Sequence, residues 1–483
     1  MKKVISVMLL ISIFLLQSIT VCAIGEIKHE GITYRHVGNK LLISKIDPWV
    51  KTLDIKKRVP IGDVEYIVSS ITSGALNKSN VEVVNLPEEG IDVSISAFRD
   101  STKLNTVKNL DKANIVSTYG LFSGCCNLRN IELPENLEII GGSMFSGCTA
   151  LENITIKKSI TKIDEDGFLG CSSLNKVNVE SESRLKHIGK GAFAGCENLE
   201  YFDVPKNLDI AEYAFFCCKK LSSDCNIPKS VITYDKNLEE KCKKAELFAR
   251  GILENEVKSG RDSSELIDAK EIDKLLYKYI PKSTDVPTVV SKEEFDKITS
   301  DGRLVLYRGD ISCLGKSGRK ITIKEINDAF KYGDFYYPFE CNGIFCTKYV
   351  EHAKSYAEDY KTKEMIGSVT QFCFTDISPD NLKIITHSEL DKIQDFYKYS
   401  HIDNYLKFMH DWCSIGKYRL ETGLINLGVD TMNFSFLARA LGYDMIDDEY
   451  DKLGGDGCSK GTQTSQFEVL NRGKLTVCAE NIF

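Results

Sequence analysis

Three short stretches late in the chain carry side chains able to handle an anion, a flat ring and a developing positive charge: Leu304-VLYRGD, Gly343-IFCTKYVEHAKSYA and Ser465-QFEVLNRGKLTV. The guanidinium of Arg308 offers several donors in a fixed fork, a shape suited to an anion. Gly309, without a Cβ, lets its backbone come close to a partner. Gln466 and Glu468 are two residues apart on a strand-like stretch and therefore face one side of it. Taken singly, each has an ordinary reading as well: Arg308 as a surface or salt-bridged residue, Glu468 as a solvated residue on an edge strand, Phe345 and Tyr356 as core aromatics. His352 and His410 have no Asp or Cys at useful spacing, which reads as surface or packed histidine rather than as a base.

In their order along the chain, the three stretches resemble the ADP-ribosyltransferase superfamily, especially its R-S-E toxin branch. The matching features are an aromatic-Arg-Gly strand, a Thr-bearing strand entering a helix with A-x-x-Y-A, and a late strand with Gln two residues before Glu-Val-Leu. The resemblance implies that NAD is the substrate and that its nicotinamide–ribose bond is cleaved through a cation-like transition state. Glu468 would then stabilise that charge near the ribose, much as paired carboxylates flank a similar cation in glycosidases. Arg308 would hold the phosphates or ribose, Gly309 the nicotinamide amide, and Phe345 with Tyr356 would sandwich the ring. Thr347 occupies the place of the Ser-Thr-Ser motif, from which this chain departs by reading Phe345-Cys346-Thr347-Lys348. In the toxin branch a glutamine at the position of Gln466 accompanies acceptors other than arginine. The loop Lys452-LGGDGCSKGTQTS, just before the last strand, reads either as a target-recognition turn or as a plain connector.

These residues need a scaffold. Strand-like and helix-like segments alternate from about residue 285 onward, with strands expected at Arg303–Tyr307, Ser368–Phe374 and Phe467–Cys478 and helices at Ile323–Phe330, Val350–Tyr360 and Phe434–Leu441. This predicts an α+β domain over residues 285–483, preceded by a charged, proline-free helical linker over 236–284 that breaks at Lys258-SGRDSS-Glu265.

The first half is built differently. Phe98, Phe122, Phe145, Phe168, Phe193 and Phe215 recur at separations of 24, 23, 23, 25 and 22 residues, inside the window of leucine-rich repeats. Each of the clearest copies, such as Met144-FSGCTALENITI, adds a cysteine, a leucine three residues later and an alternating apolar pair for a short one-sided strand. One such unit cannot cover its own apolar face, so its neighbours must stack into a solenoid. The motif F-x-x-C-x-x-L-x-x-I-x-L-P resembles the BspA-like leucine-rich repeats, here over residues 71–235, with residues 24–70 as an N-terminal β cap.

Seventeen cysteines would suggest disulfides in an exported chain. Cys125, Cys148, Cys171, Cys196 and Cys218, however, recur at one inward repeat position, which reads as a ladder of small buried thiols. No metal site is expected, because sulfurs at solenoid spacing do not converge on one ion and no CxxC pair accompanies the histidines.

Residues 1–23 have the charged start, apolar middle and small-residue end of a secretory signal peptide. The alternative is an uncleaved anchor, the one membrane contact expected. A net charge of −7 argues against a nucleic-acid partner. The reading is therefore a secreted or cell-surface protein with two halves, in which the repeats bind and the C-terminal domain transfers ADP-ribose from NAD to a protein of a host or competitor, as a virulence factor would. Two alternatives stand beside it: a surface adhesin whose C-terminal domain keeps the fold without turnover, supported by the absent serines, and a NAD glycohydrolase.

Overall fold

The computed structural model describes residues 25–202, 207–222, 225, 227–228, 235–267, 271, 275, 288–310, 344–347, 353, 368–374, 381–415, 418–419, 434–447, 466–469 and 475–478. The expected signal peptide, the loop 452–464, His352 and the helix at Ile323–Phe330 lie outside them. Two compact units divide the chain: residues 1–234 with 399–414, and residues 235–398 with 415–483.

The first unit is a parallel solenoid. From Val83 to Ile210 the strands of its coils are two to four residues long, too short to persist alone, and they gain partners only by stacking coil on coil. One sheet runs Ile139–Ile140, Lys162–Ile163, His187–Ile188, Asp209–Ile210, all parallel, with Ile140, Ile163, Ile188 and Ile210 in one register column. A second aligns Asn153–Ile156, Lys176–Val179 and Tyr201–Phe202, placing Ile154, Val177 and Phe202 side by side. At the other end Gly25–His29, Ile32–Val37 and Lys40–Ile46 pair antiparallel. The last of these then takes Val64–Ile71 in parallel, and the ladder continues through Asp92–Val93 to Asn114–Ile115.

Between the sheets the six phenylalanines form one stack. Successive ring centroids from Phe98 to Phe215 are 5.0, 5.5, 5.2, 5.0 and 5.3 Å apart, with planes within 9° of parallel. All six rings are fully buried. The thiol ladder runs beside them. Cys125, Cys148, Cys171, Cys196 and Cys218 are buried and free, and each Sγ donates to a phenylalanine carbonyl of the preceding coil at 3.1–3.2 Å. The small size of the side chain suits the tight interior, and the weak S–H donor adds a second bond to an oxygen that already accepts a backbone N–H, as Phe122 does from Cys125 and Phe145 from Cys148.

One coil escaped the aromatic period. Fully buried Leu76 stands 22 residues before Phe98 and its N–H donates to the Ala97 carbonyl at 3.2 Å, as that of Phe98 does to Leu121. A leucine thus begins the column that phenylalanine continues.

The second unit centres on an eight-stranded mixed sheet. Its strands, numbered along the chain, are β1 Thr288–Val290, β2 Val305–Asp310, β3 Ile344–Thr347, β4 Ser368–Phe374, β5 Ile384–Thr386, β6 Met445–Asp447, β7 Gln466–Val469 and β8 Leu475–Cys478. Their order across the sheet is β1-β8-β4-β2-β3-β7-β6-β5. The stretch Phe467–Cys478, expected as one strand, is two: β7 and β8, with three strands between them. Its Asn471-Arg472-Gly473 is a turn signal that the apolar residues on either side obscured.

Helix α1, Lys236–Lys258, is capped by Asp235, whose side chain accepts from the N–H groups of Asn237 and Leu238. Expected as part of a linker, it lies in the second compact unit and packs on other helices of that unit. Buried Cys242 donates to the Ile393 carbonyl, and Lys244 Nζ reaches the Leu441 carbonyl at 2.6 Å. The remaining helices are α2 Lys292–Thr299, α3 His387–Ser400, α4 Ile402–Ile415 and α5 Phe434–Leu441. Among the described residues no helix is long and apolar enough to cross a membrane.

Candidate functional site

The predicted site residues other than Tyr356 fall on three neighbouring strands, β2, β3 and β7. The start of β2 is fixed by Arg303, which pairs with Asp301 and donates through Nη1 to the Phe374 carbonyl of β4 at 2.8 Å. The Arg303 guanidinium holds the Asp301 carboxyl below its usual range. Gly302 between them adopts φ +81°, a conformation that favours glycine.

Antiparallel pairing then sets a cross-strand row. Tyr307 of β2 stands opposite Thr347 of β3, Thr347 opposite Gln466 of β7, and Phe345 opposite Glu468. Residues directly opposite on an antiparallel pair share a face, and alternate residues along a strand share it too. Thr347, Phe345, Gln466 and Glu468, nearly 120 residues apart in sequence, therefore occupy one register block. Gly309 has the parity of Tyr307 and joins that block. Arg308 lies on the same strand but out of phase, opposite Thr370 of β4. Tyr356 lies outside the described residues.

On the far side, Glu468 stands opposite Ile446 of β6, a fully buried residue. Tyr307 packs with buried Ala353 and Val369. Cys373, one step from the block on β4, is buried against Val290 and Phe295, and burial pushes its thiol up to about 11. It is a core thiol and not a nucleophile. No group of His, Cys, Asp and Glu able to hold a metal occurs among the described residues.

The first unit has a second candidate surface, which the sequence did not announce. Residues 399–414 lie against the repeats, with Tyr399 fully buried. The Tyr399 ring stacks on Tyr213 at 5.2 Å, its hydroxyl meets a Glu165 carboxylate oxygen at 3.5 Å, and its carbonyl lies 3.9 Å from Cys217 Sγ.

Repeat geometry and sheet register together define a leucine-rich-repeat solenoid joined to an α+β unit. Residues 69–180 and 114–246 match the BspA type leucine rich repeat region, in six copies. The N-terminal half of the chain therefore carries a BspA-type repeat region. Among solved structures, a leucine-rich repeat protein from Bacteroides ovatus is 28% identical, with 41% of this chain and 52% of that one covered and a TM-score of 0.37. A leucine rich cell surface protein from Faecalibacterium prausnitzii is 22% identical over 41% of this chain and 53% of that one, TM-score 0.32. A leucine-rich repeat protein from Eubacterium ventriosum is 18% identical over 38% and 53%, TM-score 0.29. The chain thus spans about half the length of these relatives. No curated protein matches it.

Proposed function

We propose that the chain is a cell-surface or secreted interaction protein whose repeats form the binding module. The observation that supports it most directly is the solenoid itself, whose stacked coils present long, uninterrupted rows of side chains to solvent. Ile95 and Tyr119 stand at equivalent positions of successive coils and are 42% and 53% exposed. Apolar and aromatic side chains left in water at neighbouring positions suit protein contact. The test is saturable binding of the labelled chain to target cells, lost after protease treatment of those cells and weakened by Tyr119→Asp. Binding indifferent to both would remove the repeats from recognition.

A second reading concerns the other unit, and the β2-β3-β7 register favours it. In this reading the C-terminal sheet transfers ADP-ribose from NAD to a protein acceptor. The C–N bond between ribose and nicotinamide breaks, nicotinamide leaves as a neutral molecule with the bonding electrons, and the ribose cation is captured by an acceptor nucleophile. Glu468 would counter the cation in a water-poor site, where fixed charge acts strongly. Gly309 and Phe345 share its register block and would meet the nicotinamide; Arg308, expected to hold the phosphates, has the opposite register phase and is given no contact with NAD in this reading. Gln466, beside Glu468, points away from arginine as the acceptor; ADP-ribose found on arginine by mass spectrometry would overturn that choice. Incubation with labelled NAD separates the outcomes: label on protein supports transfer, free ADP-ribose supports hydrolysis, and neither leaves the interaction protein alone.

A further inference from the structure

One backbone position recurs with left-handed φ in every coil. It is occupied by Lys78 (φ 56°), Asp100 (55°), Gly124 (75°), Gly147 (73°), Gly170 (68°), Gly195 (72°) and Cys217 (59°). Since Lys, Asp and Cys hold this conformation in the outer coils, φ alone does not demand glycine. At Gly124 the reason is local, because a Cβ there would run into the Asp100 carboxylate. At the next coils the obstacle is the segment 399–414. A Cβ on Gly170 would lie 2.6 Å from Leu406 Cδ1 and 3.2 Å from Ile402 Cγ2, and one on Gly195 2.6 Å from Ile402 Cδ1. On Gly147 it would reach 3.7 Å from Leu406 Cδ2. A neighbouring glycine, Gly191, likewise leaves its space to the Tyr399 ring.

The spacing fits a helix. Coils stack 5.0–5.5 Å apart, as the phenylalanine column records. An α-helix has a pitch of about 5.4 Å, so side chains four residues apart rise about 6 Å. Ile402 and Leu406, one turn apart at the start of α4, therefore meet successive glycines of the column. Tyr399 ends the preceding helix and fills a slot formed by Gly191, Tyr213 and Glu165.

From this we infer that the Gly147–Gly170–Gly195 column with the Gly191 slot is a recognition groove for a helical segment of pattern Tyr-x-x-Ile-x-x-x-Leu, and that residues 399–414 are its resident occupant. This holds whether or not the repeats bind an outside protein. A groove of this kind reads a few apolar anchors on one helix face, and an occupant tethered in the same chain excludes a free competitor through its high effective concentration.

The test uses the full chain. The double variant Ile402→Asp/Leu406→Asp vacates the groove, and a labelled peptide of residues 396–416 is then titrated by fluorescence anisotropy. The vacated variant is expected to bind the peptide saturably, and the unaltered chain at least about ten-fold more weakly because its own segment competes. Adding Gly170→Leu to the vacated variant fills the groove and should abolish binding. No binding by the vacated variant, or binding insensitive to Gly170→Leu, overturns the inference. Should the double variant fail to fold, amide exchange in Gly195→Ala decides. Faster exchange across 402–409 with unchanged exchange at the Phe145 and Phe168 amides supports a docked segment, whereas loss of protection in both together makes the contact ordinary core packing and sinks the inference.

Discussion

The Cys148 thiol donates to the carbonyl of Phe122, one coil earlier, at 3.1 Å. The same bond repeats at Cys125, Cys171, Cys196 and Cys218, so each coil is tied to its predecessor by a group that must stay protonated to donate. Burial pushes the thiols of Cys125, Cys148, Cys196 and Cys218 above the ordinary range. Below the thiol pKa of the unfolded chain, both states are protonated and the ladder's contribution is complete. Above it, near pH 8.5–9, the unfolded chain ionises while the folded one keeps its protons, and stability falls by about 1.4 kcal/mol per pH unit for each thiol. Urea unfolding midpoints measured from pH 7 to 10 should drop steeply above that point, less steeply in Cys148→Ala. A flat profile would mean that the thiols titrate alike in both states.

Phe168→Ala should be among the costliest changes in the first unit. The ring lies 5.2 Å from Phe145 and 5.0 Å from Phe193, and its removal opens a cavity that two rigid sheets cannot close. A loss of about 3–5 kcal/mol is expected, read from denaturant unfolding. A loss below about 1 kcal/mol would show that the coils collapse onto the gap.

Lys78→Gly should act in the opposite direction. Lys78 is exposed and holds φ 56°, which a side chain adopts at a cost of about 1–2 kcal/mol. Relief of that strain, partly offset by the greater freedom of glycine in the unfolded chain, predicts a gain of about 0.5–1 kcal/mol. An unchanged or lowered urea midpoint would contradict it.

Glu468→Gln tests the second unit. If the sheet cleaves NAD, loss of the carboxylate should lower turnover by about 10²–10³, with the fold unchanged by circular dichroism. Full turnover in Glu468→Gln would take this residue out of the site.

The solenoid was legible because its information is local and repeated: an aromatic every 22–25 residues, a cysteine behind it, and a short strand with one apolar face. Leu76 lies inside the expected repeat range 71–235 but outside the aromatic row, because a leucine anchor carries no ring to mark the period. In the second unit, Ser368–Phe374 and Phe434–Leu441 follow directly from their apolar patterns. The row of Thr347, Gln466, Phe345 and Glu468 was legible only through resemblance, since register between distant strands is set by the whole sheet. The phase of Arg308 relative to that row could not be read from residue types. Least visible was the seat of Tyr399 on Glu165, 234 positions away, because nothing in an amphipathic helix names the surface it will cover.

The 25-residue separation between Phe168 and Phe193 leaves the stacking undisturbed: Lys176–Val179 and His187–Ile188 keep the register of the coil before. The extra length is taken up around Ser181–Arg184, where Ser181, Glu182 and Arg184 are exposed. The ladder thus constrains what faces inward while leaving the contour of this edge free, so that a graft of several residues there, such as an epitope or a fluorophore site, would lengthen the rim without breaking the column beneath it.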